Sequence, residues 1–358
     1  MPACAGMTIT DGVNYMTYLS RLSILLLVSL ISAVSHAAPV SKKLYVVTTL
    51  PILKDIAENI GKEFVVVESL AEPNQDAHFV QPKPTLMKKV GKADVFIEIG
   101  LSLELWGQKI IDSVGNVRIQ SGQPGRIIAS NGVSTLEVPQ ILSRDFGDVH
   151  PQGNPHIWLD PLHVKKMAES IKIGFSKVDP LHEEIYAKNL LDYQTKIDIA
   201  FFGEKLVNEI GSKKLTRLCE QNELFSFLQK KKLDPLLGGW LKKAMPIRGK
   251  QLVTYHRTWG YLANRLGFNV PVEIEDKPGI PPSAKHRDEV IATMKHHKIQ
   301  VILMEIFYDR FPAAESIAKQ TGAAIVQVPI DVGALKVASS YFDLMDYILD
   351  QLLSSKKF

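Results

Sequence analysis

The chain has 358 residues, 46% hydrophobic and 22% charged, with a formal net charge of +4. That is the balance of a soluble globular protein with room for two domains. Its basic residues are dispersed, in short clusters such as Lys230-Lys231-Lys232 without interleaved aromatics, whereas a nucleic-acid binder gathers its charge into a stripe.

The N-terminus has the parts of an export signal. Arg21 precedes an uncharged run, 22–34 (LSILLLVSLISAV), and Ser35-His36-Ala37-Ala38 follows. A basic residue, a short apolar core and small residues at the exit define a secretory signal. The run falls short of the roughly 20 helical residues that span a bilayer. Residues 1–37 are therefore expected to be a signal peptide cleaved after Ala37. The stretch before the apolar core is long, so Met16 is an alternative start, with 1–15 as upstream translation. Cys4 lies in the removed part, and Cys219 alone cannot form an internal disulfide. No cysteine follows the apolar run to carry a lipid, so an unlipidated periplasmic protein is expected.

From Lys43 short apolar runs alternate with helical stretches. The runs 44–50 (LYVVTTL), 64–70 (FVVVESL), 94–99 (DVFIEI) and 126–129 are largely β-branched and nearly continuous in hydrophobicity, as in parallel strands buried on both faces. Helices fit at 52–60 and 85–92. This predicts a βα-type lobe over 38–178.

Asp179-Pro180 is a helix-start signal, and Tyr186, Leu190, Tyr193, Ile197 and Phe201 form one apolar stripe. A rigid linker helix over 179–211 is expected, long enough to join two lobes; a break at Gly203 is the alternative. After a polar, irregular-looking stretch (212–250) come strand-like runs at 251–255 (QLVTY), 270–274 (VPVEI), 301–306 (VILMEI) and 324–330 (AIVQVPI). Pro271 marks the second of these as an edge or a strand start. Helices fit at 260–266, 283–296, 313–321 and 341–353. The expected fold is thus α/β, two (βα)-type lobes with parallel-rich sheets, the second spanning 212–358. Sites in such folds gather at the carboxyl ends of strands.

Of ten histidines, three stand where a strand or turn ends. His78 lies in a loop after the second strand, His156 in the proline-stiffened turn GNPHIWLDP, and His256 directly after QLVTY. Asp331 follows AIVQVPI in the same way. Neutral imidazoles with one carboxylate suit Zn²⁺. The spacing is not that of a local zinc finger, and taken singly each histidine is weak. His163, His182, His286, His296 and His297 fall on predicted helices with polar neighbours and are read as solvated faces. His150, close to His156 in sequence, is a possible accessory ligand.

These segments together resemble the substrate-binding proteins of zinc/manganese ABC importers, the cluster A-I family. Asp76-Ala77-His78 with Gln81-Pro82-Lys83-Pro84 resembles the family segment DPH…PTP, and Gly153–Pro161 resembles NPHxWLDP, the most specific match. Val253-Thr254-Tyr255-His256 through Gly260-Tyr261 is similar to the segment carrying the third ligand. Lys277-Pro278-Gly279-Ile280-Pro281-Pro282-Ser283 and Val301-Ile302-Leu303-Met304-Glu305 match two further landmarks. The likeness covers residues 43–353. It implies a metal buried between lobes joined by one long helix, held by His78, His156, His256 and Asp331, with Glu305 as an alternative ligand or a carboxylate that orients a histidine. A water completing a three-histidine site is also open.

Ala77 stands where the family usually has proline. The family's metal-gathering acidic and histidine-rich loop is vestigial, since residues 131–150 offer Glu137, Asp145, Asp148 and His150. Members thought to prefer Mn²⁺ commonly replace the third histidine by glutamate; His256 is kept here, which favours Zn²⁺ over Mn²⁺. A monomer that hands its ion to a membrane permease is expected, and the stiff linker helix limits its motion to small lobe tilts and loop rearrangement. A zinc hydrolase is the rival reading, but HExxH, His-x-Glu with Cys-x-x-Cys, GxSxG and a P-loop are all absent. A binding protein for an organic solute would need an aromatic or basic pocket, for which there are only Trp106, Trp158, Trp240 and Trp259.

Overall fold

The computed structural model describes residues 1–3, 42–141, 150–277, 279–308 and 311–358. The apolar core and cleavage site of the expected signal fall outside them, as do Asp145, Asp148 and Pro278. Residues 43–358 form one unit, whose architecture follows.

In its first lobe, strands and helices alternate: β1 (Leu44–Thr48), α1 (Pro51–Gly61), β2 (Val65–Ser69), α2 (Pro84–Lys92), β3 (Val95–Glu98), α3 (Leu105–Val114) and β4 (Arg126–Ile128). The sheet order is β2-β1-β3-β4, parallel throughout. Every residue of β3 is buried, although successive side chains point to opposite faces, so both faces of the sheet are covered there. Helix α1 starts on Pro51, where the missing N–H would have had no helical partner. It buries Ile52, Ile56 and Ile60 on one stripe.

Helices α4 (Pro161–Val178), α5 (Glu183–Phe202), α6 (Glu204–Ile210), α7 (Ser212–Glu220), α8 (Leu224–Lys231) and α9 (Gly239–Lys243) connect the lobes. The long helix expected to reach residue 210 stops at Phe202. Gly203 has φ +88° and ψ 140°, a conformation that glycine alone adopts without strain. A Cβ there would lie 2.5 Å from the Gly238 Cα, and Gly238 N–H donates to the Phe202 carbonyl at 2.9 Å. The helix breaks where two backbones touch. The remaining α5 still joins the lobes: Asn189 Nδ2 donates to the Ile60 carbonyl of α1 at 2.9 Å, while its far end meets Gly238. Helix α4, for which the sequence pattern gives no bounds, is set by Asp160 and Pro161. The Asp160 carboxylate accepts the Leu162 N–H at 2.9 Å, a helix-start cap. Residues 212–250, expected to be irregular, are mostly helical. In α7 only Leu215, Leu218 and Cys219 are buried, so a narrow apolar stripe was masked by polar neighbours.

The second lobe holds β5 (Val253–Thr254), α10 (Gly260–Leu266), α11 (Ala284–His297), β6 (Val301–Glu305), α12 (Pro312–Thr321), β7 (Ala324–Val328) and α13 (Tyr341–Ser354). Its sheet is parallel in the order β5-β6-β7. The expected strand at 270–274 is reduced to an isolated bridge between Thr254 and Glu273, consistent with Pro271 lacking a ladder donor. The segment still runs beside β5, because the N–H groups of Ile274 and Glu275 donate to Thr254 and Tyr255. Among the described residues no helix is long and apolar enough to cross a membrane.

Candidate metal centre

His78 lies beyond β2, His156 in the turn before α4 and His256 just past β5, all near carboxyl ends of strands, where parallel sheets leave room for a ligand. The fold gathers them. One ligand atom from each lies within 4.8 Å of the other two. Their ring centroids are separated by 5.3 Å (His78–His156), 5.7 Å (His78–His256) and 5.7 Å (His156–His256).

Each ring is held through Nδ1. Asp76 Oδ1 accepts the His78 backbone N–H at 2.9 Å and meets its Nδ1 at 2.7 Å. Asn154 Oδ1 does the same for His156, at 2.9 Å to both atoms. His256 Nδ1 meets Glu275 Oε2 at 2.6 Å. With the hydrogen on Nδ1, these partners accept a hydrogen bond from the ring, and Nε2 keeps its lone pair for a metal. The loop carrying His78 is anchored where Trp106 Nε1 donates to the Ala77 carbonyl at 2.9 Å.

Electrostatics separate the three rings. Burial, then the facing imidazoles of His78, His256 and His150, hold the His156 pKa well below its usual value. Burial also opposes charge on His256, but the Glu275 hydrogen bond and the carboxylates of Glu305, Glu275 and Asp76 outweigh it and raise its pKa. For Asp76, burial is outweighed by its bonds and attraction to His78, and its pKa is lowered. Glu305, at the end of β6, is fully buried. Burial pushes its pKa up to about 7 against the attraction of His256. Its oxygens make no hydrogen bond of good geometry among the described residues, although the Thr258 hydroxyl lies close enough to favour its charged form.

His150, Asp331 and Glu305 are not part of the three-histidine group. His150 Nε2 nevertheless lies 3.2 Å from His78 Nε2. Asp331 is buried after β7; its Oδ1 accepts the Val332 N–H at 2.7 Å, and burial pushes its pKa well above the usual carboxylate range. His163, expected on a solvated face, is buried and packs edge-on to Tyr261 with centroids 5.1 Å apart. His182 stacks on Phe64 at 4.0 Å; His296 and His297 are exposed as expected. Asp76, Asn154 and Glu275 are supports to which the sequence alone assigns no role. The repeated pattern of an Asx two residues before a histidine was the available signal for the first two.

Two parallel-sheet lobes with imidazoles converging between them define a binding protein for a small, electron-accepting solute. The chain belongs to the family described as zinc-uptake complex component A periplasmic (ZnuA), whose profile matches residues 46–200 and 230–355. It is the substrate-binding component of a divalent-metal ABC uptake system, which supplies the ion to a membrane permease. Among relatives, the iron-binding protein YfeA of Yersinia pestis is 27% identical over 327 residues, covering 89% of this chain and 88% of YfeA. The high-affinity zinc uptake system protein ZnuA of Bacillus subtilis (strain 168) is 25% identical over 321 residues, covering 87% and 88%. A solved Mn-bound periplasmic metal-binding protein from Candidatus Liberibacter asiaticus shares the fold, with a TM-score of 0.63 at 22% identity over 88% of this chain and all of that one.

Proposed function

We propose that the chain captures Zn²⁺ in the periplasm and delivers it to its permease as a monomer, with His78, His156 and His256 as ligands through Nε2. The observation that carries this reading is the convergence of three histidines from both lobes, each anchored at Nδ1. Three imidazoles suit zinc, and at such a donor set zinc outranks manganese in affinity. Asp76, Glu275 and Glu305 supply negative charge around a divalent ion without occupying its coordination positions. His150 is the accessory donor. Its 3.2 Å spacing from His78 matches two nitrogens on one tetrahedral ion with bonds of about 2.0–2.1 Å. Asp331, whose carboxylate accepts the Val332 N–H and does not join the three-histidine group, is left outside the ligand set.

Manganese is the second reading, favoured by the carboxylates that ring the site and by the metals named for the relatives. Export by a signal cleaved after Ala37, without lipidation, belongs to the same proposal. Metal content by mass spectrometry tests it. The stripped mature protein should take up about one equivalent of zinc in competition with manganese, as expected for an imidazole site, and His156→Ala should abolish uptake. Failure to rebind zinc would refute the reading and turn the search to an organic ligand.

A further inference from the structure

Asn154 does more than orient His156. Its Oδ1 receives the His156 backbone N–H and faces Nδ1, while its Nδ2 donates to the Arg257 carbonyl at 2.6 Å and to Glu137 Oε2 at 3.1 Å. Its own carbonyl accepts the Tyr261 hydroxyl at 2.7 Å. Arg257 directly follows His256, so one buried side chain of the first lobe touches a histidine of the site and grips the second-lobe turn carrying another, while Tyr261 of α10 holds the same residue by its backbone. Gly260 makes room for this arrangement, since a Cβ there would run into the Glu137 carboxylate.

The polarity of the network fixes what the residue must be. Two groups facing Oδ1 donate and two groups facing Nδ2 accept, so an amide in this orientation satisfies all four. Asp76 holds His78 in the same local geometry with a carboxylate. Ring-holding alone therefore needs no amide; the cross-lobe bond to Arg257 and the bond to Glu137 do. A carboxylate at 154 would keep the cradle of His156 but set its second oxygen against a carbonyl and the Glu137 carboxylate in a buried place. We infer that Asn154 is a positioning residue that couples the two halves of the metal site, so that its amide sets how long the ion stays bound. This rests on the metal-binding reading above.

The test is zinc release from the full mature protein into excess chelator, with stopped-flow uptake measured in parallel. Asn154→Asp should raise the off-rate about 10-fold or more, the scale of burying acceptors against one another, with the on-rate little changed. Adding Glu137→Gln should recover part of the loss, because an amide at 137 then donates to the carboxylate at 154. Glu137→Gln alone should have a small effect. Tyr261→Phe, which removes a single hydroxyl, should shorten residence a few-fold, and it keeps the test open should Asn154→Asp not fold. A wild-type off-rate in Asn154→Asp, no recovery in the double variant, or an unchanged off-rate in Tyr261→Phe would each overturn the coupling. Zinc failing to bind the wild type would instead defeat the underlying reading.

Discussion

Replacing Glu275 by glutamine probes how the protein strengthens a ligand it does not change. In the native chain the Glu275 carboxylate meets His256 Nδ1 at 2.6 Å, with both side chains buried. Glutamine preserves shape and an acceptor oxygen but removes the charge. Charge-assisted hydrogen bonds are about twice as strong as neutral ones, and losing such an outer partner costs about 10–100-fold in metal affinity. Because a neutral acceptor remains, the expected loss is near the lower end, about 10-fold or ~1.4 kcal/mol. Competition against a chromophoric chelator measures it. The pH dependence adds a second constraint. Glu275 also helps raise the His256 pKa, so the native site must displace a proton from pH values where the variant is already free. The defect should be largest at high pH and narrow on acidification. An affinity within about twofold of wild type at neutral pH, where outer-partner losses are normally far larger, or a defect that grows on acidification, would refute the reasoning.

Zinc affinity of the native protein should be level at alkaline pH and fall as pH drops through the raised His256 range, because ligand imidazoles must be unprotonated; a flat titration through the histidine range would contradict the three-histidine site. Gly203→Ala should destabilise the fold by about 2 kcal/mol or more through a strained positive φ and the clash with Gly238, read as a lower urea midpoint. Arg265→Ala should cost about 3–5 kcal/mol, since it strands Asp160, which is 1% exposed and paired with Arg265 at 2.6 Å; a wild-type midpoint would contradict that pairing.

Much of the fold was legible because parallel strands buried on both faces leave continuous apolar runs, as at β1, β3 and β6. The break at Gly203 was less so. Its cause is a contact with Gly238, which no local pattern reveals. The three histidines could be located because strand ends are readable, but their supports divide by distance along the chain. Asp76 and Asn154 act on a histidine two residues away and were visible in principle. Glu275 reaches His256 only because the 270–275 segment lies beside β5. The burial of His163 depends on Tyr261 from the other lobe, so polar neighbours in sequence misrepresented its surroundings.

Everything proposed for this chain depends on one ion being held by imidazoles converging from both lobes. X-ray absorption on the zinc-loaded mature protein tests it most directly. The account predicts a first shell dominated by nitrogen at about 2.0–2.1 Å with the outer-ring scattering of at least three imidazoles. A shell of oxygen donors carrying one imidazole or none would contradict it.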